Sequence, residues 1–390
     1  MLEWLIIGGG VHGTYLSRVL TREAGVASSG VRVLDPWEEP LSRFLACAAA
    51  TGMGHLRSTL VHHLDAEPMS LRRFATERGG VEDDLVGPYL RPSVEVFRAH
   101  CKDVVARNGL DTLRVVGEAT GLERNGRGYH IDTTSGRLEA RRVVLAMGGM
   151  GEPSFPEWAL DLRACGLVRH VFEPGFARAQ MRGWQSVAVV GGGLSAIQVA
   201  LALADELPSA VTLIARHGRR VHDFDTDSGW MGPKLDRGFH RETDRDGRRR
   251  IIAGARHRGS APQEVAARLG RRVADGDLLE RRAEVAAARL EGDRAVLVLS
   301  DGKEISVDGV LLATGFRSGR PGGPWLDRAI AQLELQYAAC GYPVVDESLC
   351  WAPGIYVTGP LAELEIGPAA LNIHGARLAG KRLLVVAKDS

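Results

Sequence analysis

The chain lacks any apolar run approaching the roughly 20 residues that span a bilayer, so a membrane-embedded protein is not expected. It also lacks charge of one sign. A net charge of +1 at neutral pH gives no overall field that would draw it to nucleic acid or an anionic membrane. Cysteine is sparse: Cys47, Cys101, Cys165, Cys340 and Cys350 are scattered and odd in number, and none forms a Cys-x-x-Cys pair. That excludes a dithiol redox centre of the usual spacing and argues against a disulfide framework. No basic leader precedes the first apolar segment, leaving no room for a signal peptide, and a cytoplasmic protein is expected. No sequence period of some 20–50 residues recurs, so a solenoid is set aside.

What is present is an ordinary globular composition, 45% hydrophobic and 25% charged, in 390 residues. That length is more than one core comfortably fills, and two domains are the expectation. "EWLII" near the start reads as a buried strand followed at once by glycines. A helix to about Arg22 and a second strand, "VRVLD" (Val31 to Asp35), complete a β-α-β unit of a parallel α/β fold. "RPSVEVFRAHCKDVVAR" predicts a helix with Val94, Phe97, Cys101, Val104 and Val105 on one face. Alternating segments from Leu113 to Ala146 predict a small β-meander. "GGMGEPSFPEW" (Gly148 to Trp158) is the best candidate linker.

Gly8, Gly10 and Gly13 form G-x-G-x-x-G between that first strand and its helix. The first glycine permits the tight turn, the second lets a pyrophosphate approach the backbone, and the third lets helix and strand pack closely. Asp35 ends the next strand about 20 residues on, where a carboxylate accepts ribose hydroxyls and repels a 2′-phosphate. This first turn fits FAD or NAD(H).

Gly191, Gly193 and Ala196 repeat the pattern in "VVGGGLSAIQVA", with Ser195 at the helix start. Here the following strand ends in Arg216, with Arg219 and Arg220 close behind and no carboxylate. Guanidinium forks match phosphate oxygens, so the second turn reads as an NADPH site. Two such sites with opposite ribose-end chemistry imply electron transfer from NADPH to FAD.

With these two turns, the chain resembles the two-dinucleotide-binding-domain flavoproteins. "LLATGF" (Leu311 to Phe316, with Thr314 and Gly315) looks like their Ala-Thr-Gly segment, and "GIYVTGP" (Gly354 to Pro360, with Gly359) like their C-terminal flavin-contacting turn, with Pro360 where an Asp is usual. Disulfide reductases of that group need a cysteine pair, which this chain lacks. The remaining branch is the class B flavoprotein monooxygenases, and several segments are most similar to the ornithine and lysine N-hydroxylases. In "MGHLRSTLVHHLDAEPMSLRRF" (Met53 to Phe74) the resemblance places Arg57 and Ser58 beside the flavin as candidate catalytic residues. "DTDSGWMGPK" (Asp225 to Lys234) is similar to their Asp-Asp-Ser-x-Phe-x-Asn-Glu stretch, with Gly232 and Pro233 in place of Asn-Glu.

The resemblance implies two Rossmann-like domains. Residues 1–155 and 305–390 would form the FAD domain and residues 156–304 an inserted NADPH domain. It also implies oxygenation of a nitrogen or sulfur centre in a small molecule through a C4a-hydroperoxyflavin, with molecular oxygen as co-substrate. The alternatives are a flavin reductase serving a protein or quinone acceptor, and a non-catalytic redox sensor or subunit. An oligomer is compatible with all three.

Two other patterns fall short of a metal site. His55, His62, His63 and Asp65 have no regular metal-ligand spacing. Asp223, Asp225 and Asp227 alternate like a calcium loop, but Ser228 and Lys234 stand where that loop needs Gly and Glu. "RETDRDGRRR" (Arg241 to Arg250) reads as a solvated hairpin.

Overall fold

The computed structural model describes residues 1–79, 84–207 and 210–389. The first apolar segment is strand β1 (Leu2–Ile7), in which Trp4, Leu5 and Ile6 are fully buried. Helix α1 (Val11–Arg18) follows the glycine turn and returns the chain to β2 (Val31–Asp35), parallel to β1. Helix α2 (Ser42–Thr51) and a helix at Val94–Asn108 come next. The latter is capped by Ser93, whose hydroxyl accepts from the Val96 N–H at 3.1 Å, and it buries Phe97, Cys101, Val104 and Val105 as its spacing requires.

Strand β3 (Arg114–Val116) joins the edge of β2. The expected meander is the antiparallel run β4 (Ala119–Asn125), β5 (Gly128–Thr133) and β6 (Gly136–Leu145). The last of these continues into the core as the parallel neighbour of β1.

The second sheet is wholly parallel, and its strands are β7 (Val168–His170), β8 (Ser186–Val190), β9 (Ala210–Ala215), β10 (Leu278–Arg282) and β11 (Gly309–Leu312). Their order across the sheet is β10-β9-β8-β11-β7. Helix α3 (Leu194–Glu206) is its first crossover. An antiparallel three-stranded meander (Val285–Glu291, Arg294–Leu299, Glu304–Val307) covers one side. Because β11 is an interior strand of this sheet, the second unit runs past residue 304, where the sequence drew its boundary. A strand that closes on "ATG" looks the same on either sheet, and only its pairing with β8 decides.

The chain then returns to the first unit. Strands β12 (Cys350–Ala352) and β13 (Ile355–Val357) extend the first sheet through β6, and a C-terminal helix, Ile373–Lys388, packs on α1. The outgoing and returning connections lie side by side. Ser154 N–H donates to Gly315 O at 2.9 Å, and the Thr314 hydroxyl donates to Ser154 O at 2.5 Å. Two Rossmann-like units, the second inserted into the first, are thus the architecture. No helix among the described residues is long and apolar enough to cross a membrane.

The basic stretch after residue 240 departs from its expected form. It is not a solvated hairpin but helix α4 (Arg245–Ala255), capped by Asp244, which accepts from the Asp246 and Gly247 N–H groups at 3.2 and 2.8 Å. Its arginines clamp two buried carboxylates beyond β13. Glu363, 1% exposed, pairs with Arg249 and, at 2.5 Å, with Arg256. Glu365 pairs with Arg248 at 2.9 Å and Arg382 at 3.1 Å. Phe239, Ile252 and Leu364 form the apolar contact beneath. Burying a carboxylate without a partner is costly, so the arginines are what keep this segment folded over the C-terminal turn.

Candidate functional site

Both glycine turns stand at the carboxyl ends of their sheets. In the first, Gly8 has φ +111°, and a Cβ there would run into Ala146 O, so only glycine serves. Around Gly10 no atom lies within 4 Å of the place a Cβ would take, which leaves bare backbone at the N-terminus of α1. Gly13 packs onto Gly8 O as the close helix–strand contact requires. This arrangement fits a dinucleotide pyrophosphate.

Asp35 sits beside it, but not as a bare acid. It accepts from Gly9 N–H at 2.5 Å, Trp37 N–H at 3.1 Å and Arg114 Nη2 at 3.1 Å. Arg114, whose side chain is 6% exposed, lies over Gly9 and also donates to Trp37 O at 2.5 Å. Three of the carboxylate's roughly four acceptor positions are therefore taken, leaving about one for a ribose hydroxyl rather than both. Arg114 was not anticipated, since it is 79 residues from Asp35 and its partner is set by the β2–β3 pairing.

At the C-terminal turn Gly359 is buried with φ +63°, and a Cβ there would stand 3.8 Å from His12 Nδ1. His12, inside the first glycine turn, is held between Thr358 Oγ1 at 2.8 Å and Asn372 O at 3.0 Å. Burial pushes its pKa down to about 4, so it is neutral and ties the first turn to the last strand. Pro360 packs over Gly149. Thr314 spends its hydroxyl on the linker, as described, and Gly315 has φ +81° with open space around it.

In the second turn a Cβ on Gly191 would meet Ala313 O at 2.6 Å, the same device as Gly8 against Ala146. Gly193 lies close against Gly259 of the returning loop, and Ser195 is half-buried at the start of α3. The three arginines differ. Arg219 is bound fork to fork by Glu280 of β10, at 2.5 and 3.0 Å. Arg220 donates to Arg258 O at 3.2 Å. Arg216 is exposed just past β9 and forms no ion pair among the described residues. A 2′-phosphate at this end would find Arg216 unclaimed and Arg219 already neutralised.

Arg57, the candidate expected beside a flavin, reaches from the first unit to the second. Its guanidinium is occupied across the two units, donating to His222 O and Phe224 O at 2.7 Å each, Asp223 O at 3.2 Å and Ser260 Oγ at 2.8 Å. It acts as a strap between the 53–58 segment and the 222–224 turn. Ser58 is half-buried next to it. Arg57→Ala is expected to cost about 2 kcal/mol or more, because several carbonyls lose a charged donor together. Arg57→Lys should recover only part, since an ammonium cannot reproduce the fork. Thermal unfolding of the two variants checks this.

His62 lies against His374 with ring centres 5.4 Å apart and the rings tilted by 45°, His63 Nε2 donates to Pro68 O at 3.0 Å while its Nδ1 accepts from the Asp65 N–H at 3.1 Å, and Asp65 is held by Ser70 and Arg107. No group of three or more His, Cys, Asp or Glu side chains poised for a metal occurs among the described residues.

With this geometry in view, the comparisons with known proteins agree on the fold. Residues 5–150 match the family model described as FAD-NAD(P)-binding, and residues 91–256 match the pyridine nucleotide-disulphide oxidoreductase model. No curated protein matches the chain. Among solved structures, ornithine hydroxylase from Pseudomonas aeruginosa is similar over 100% of this chain and 99% of its own, with TM-score 0.77 and 16% identity. L-lysine 6-monooxygenase from Pseudomonas syringae gives TM-score 0.75 and 18% identity, over 100% and 99% of the two chains. Bacillithiol disulfide reductase from Staphylococcus aureus gives 0.64 and 17%, also over 100% and 99%. The fold is therefore that of the FAD/NAD(P)-binding oxidoreductases with two Rossmann-like units.

Proposed function

We propose that this protein is an NADPH-dependent FAD monooxygenase that oxygenates a nitrogen or sulfur centre of a small molecule. The observation that carries the reading is the contrast between the two turns, Asp35 at the ribose end of the first and, at the second, Arg216, which forms no ion pair among the described residues. The whole-length likeness to an ornithine hydroxylase and a lysine monooxygenase supports the choice of oxygenase over other flavin chemistry.

On this reading the N–H groups around Gly10 and the start of α1 hold the flavin pyrophosphate, and Asp35 takes one ribose hydroxyl. Gly191, Gly193 and Ser195 hold the nicotinamide pyrophosphate, with Arg216 and the more distant Arg220 on the 2′-phosphate. Bound flavin supplies hydride acceptance from NADPH and the activation of oxygen. The chain itself supplies alignment and dryness. Arg57 draws the 53–58 segment onto the second unit, and the Glu363 and Glu365 clamps close α4 over the C-terminal turn, both of which exclude water. None of the five cysteines stands in a Cys-x-x-Cys pair of the kind that serves disulfide reduction.

Aerobic mixing of the FAD-loaded protein with NADPH tests the reading. With no substrate present, slow flavin reoxidation, with hydrogen peroxide appearing only as slowly as the flavin reoxidises, is the expected result. Immediate reoxidation with full peroxide release would mark a reductase, and a flavin that NADPH never bleaches would mark a redox sensor.

A further inference from the structure

A pocket of about 270 Å³ stands at the amino end of the first sheet, and neither glycine turn lines it. Arg141 and Arg142 of β6 line it with Arg124 of β4 and Arg127 of the β4–β5 hairpin. The turn that enters β13 closes it with Pro353 and Gly354. Along β6 the site lies about 13 Å from Ala146, whose carbonyl packs on Gly8 of the first turn. Its frame is fixed by close backbone approach. A Cβ on Gly128 would stand 2.5 Å from Ala140 O, and one on Gly354, at φ +88°, 2.9 Å from Arg141 O. The Tyr129 hydroxyl donates to Pro353 O at 2.6 Å and locks hairpin to turn across more than half the chain.

The charge here is of one sign. Among the described residues no carboxylate lines the pocket, and Arg124, Arg127 and Arg141 form no ion pair. Arg142 is held 5.1 Å over the Trp4 ring and stands 3.6 Å from Glu3, which lies outside the lining. The hairpin does carry acids, but the pleat turns them away. Glu123 and Glu139 flank His130 on one face, with Glu139 2.9 Å from its Nε2, while Arg124 pairs across the strands with Tyr129 on the other. Composition does not force this excess, since the chain has 49 Lys and Arg against 48 Asp and Glu. Nor does the meander form. Arg137, at the far end of the same meander, pairs with Asp132 at 2.6 Å, and in the second meander Arg289 pairs with Glu304 at 2.7 Å and Arg294 with Asp308. A concave site lined by cations focuses their field and concentrates counter-ions. Guanidinium forks match phosphate oxygens two at a time, and an anion of several charges relieves the repulsion among four of them far better than a single charge does.

We propose that this four-arginine pocket is a binding site for a short polyphosphate, free or as the phosphoryl chain of a nucleotide, separate from both dinucleotide turns. It holds whether or not the flavin activates oxygen, because no group in it belongs to either turn.

Calorimetric titration of the FAD-loaded protein, with NADP+ saturating the second turn, tests the proposal. Inorganic triphosphate is expected to bind at one site per chain and at least about tenfold more tightly than inorganic phosphate. Arg127→Glu and Arg141→Glu should each weaken triphosphate by about tenfold or more. Both arginines are exposed and unpaired among the described residues, so the thermal midpoint without ligand should not move. Arg98→Glu, which reverses an exposed arginine outside the pocket, should leave triphosphate binding as it was. ATP distinguishes the two sources: an affinity equal to that of triphosphate means that the phosphoryl chain alone is read, a tighter one that a nucleoside is read with it, and both support the site. Triphosphate that does not bind, that binds no better than phosphate, that is unaffected by Arg127→Glu and Arg141→Glu, or that is weakened as much by Arg98→Glu would overturn it.

Discussion

Arg216→Glu is expected to destroy the preference for NADPH over NADH and to turn it towards NADH. Arg216 is exposed immediately past β9, at the position corresponding to Asp35 in the first turn, and no acid among the described residues claims it. Arg219, which follows it in sequence, is occupied by Glu280, and Arg220 donates to a carbonyl. The 2′-phosphate therefore depends chiefly on one guanidinium. A charge-assisted pair of that kind contributes about 1.5–3 kcal/mol, or roughly tenfold to more than a hundredfold in affinity. Placing a carboxylate there adds repulsion of the phosphate and an acceptor for the ribose hydroxyls of NADH. Affinities of both nucleotides, measured on the variant and the parent, are the check. An unchanged ratio would mean that the phosphate is read elsewhere.

Stability should fall steeply as pH drops from about 6.5 towards 4. His12, His62 and His170 are held down to about 4 and His100 to about 3, in each case chiefly by burial. The unfolded chain binds protons at these sites from about 6.5 downwards while the folded protein does not. Stability contributed by their neutrality is thus complete above about pH 6.5 and is lost as pH falls towards the folded values. Each histidine contributes up to about 1.4 kcal/mol per pH unit within that window. Four together rival the ~5–15 kcal/mol that holds a typical domain. Asp65, whose pKa is lowered by Ser70 and Arg107 against the cost of burial, loses its contribution only below the usual carboxylate range and so outside this window. Thermal midpoints measured across that range should drop continuously. His62→Phe, which keeps a ring against His374 without the titrating nitrogen, should flatten the curve by about one proton. A midpoint that stays level down to pH ~4.5 would contradict the burial argument.

The sheet strands and glycine turns were legible because their signals are local. Apolar residues of β1, β2 and β8 run together, and the glycines that need close approach sit between a strand and a helix. Ser93 announced its helix in the same way. What escaped was set by partners far away in sequence. Nothing near Asp35 points to Arg114, nothing near Arg219 to Glu280, and nothing near Arg57 to the carbonyls of residues 222–224. Helix α4 did leave a mark. Asp244 is a capping residue, and Ile251 and Ile252 interrupt a basic run that a solvated hairpin has no reason to interrupt. The weight of charge in that run hid a buried stripe. The end of the second unit was misplaced for a related reason, since "VLLATGF" forms a strand on either assignment and only its β8 partner tells them apart.

The division of labour between the two turns is tested most directly by anaerobic titration of the FAD-loaded protein. NADPH should bleach the flavin completely at near one equivalent, and NADH should do so only at far higher concentration. A protein that retains no FAD, or whose flavin is reduced equally well by both nucleotides, would contradict it.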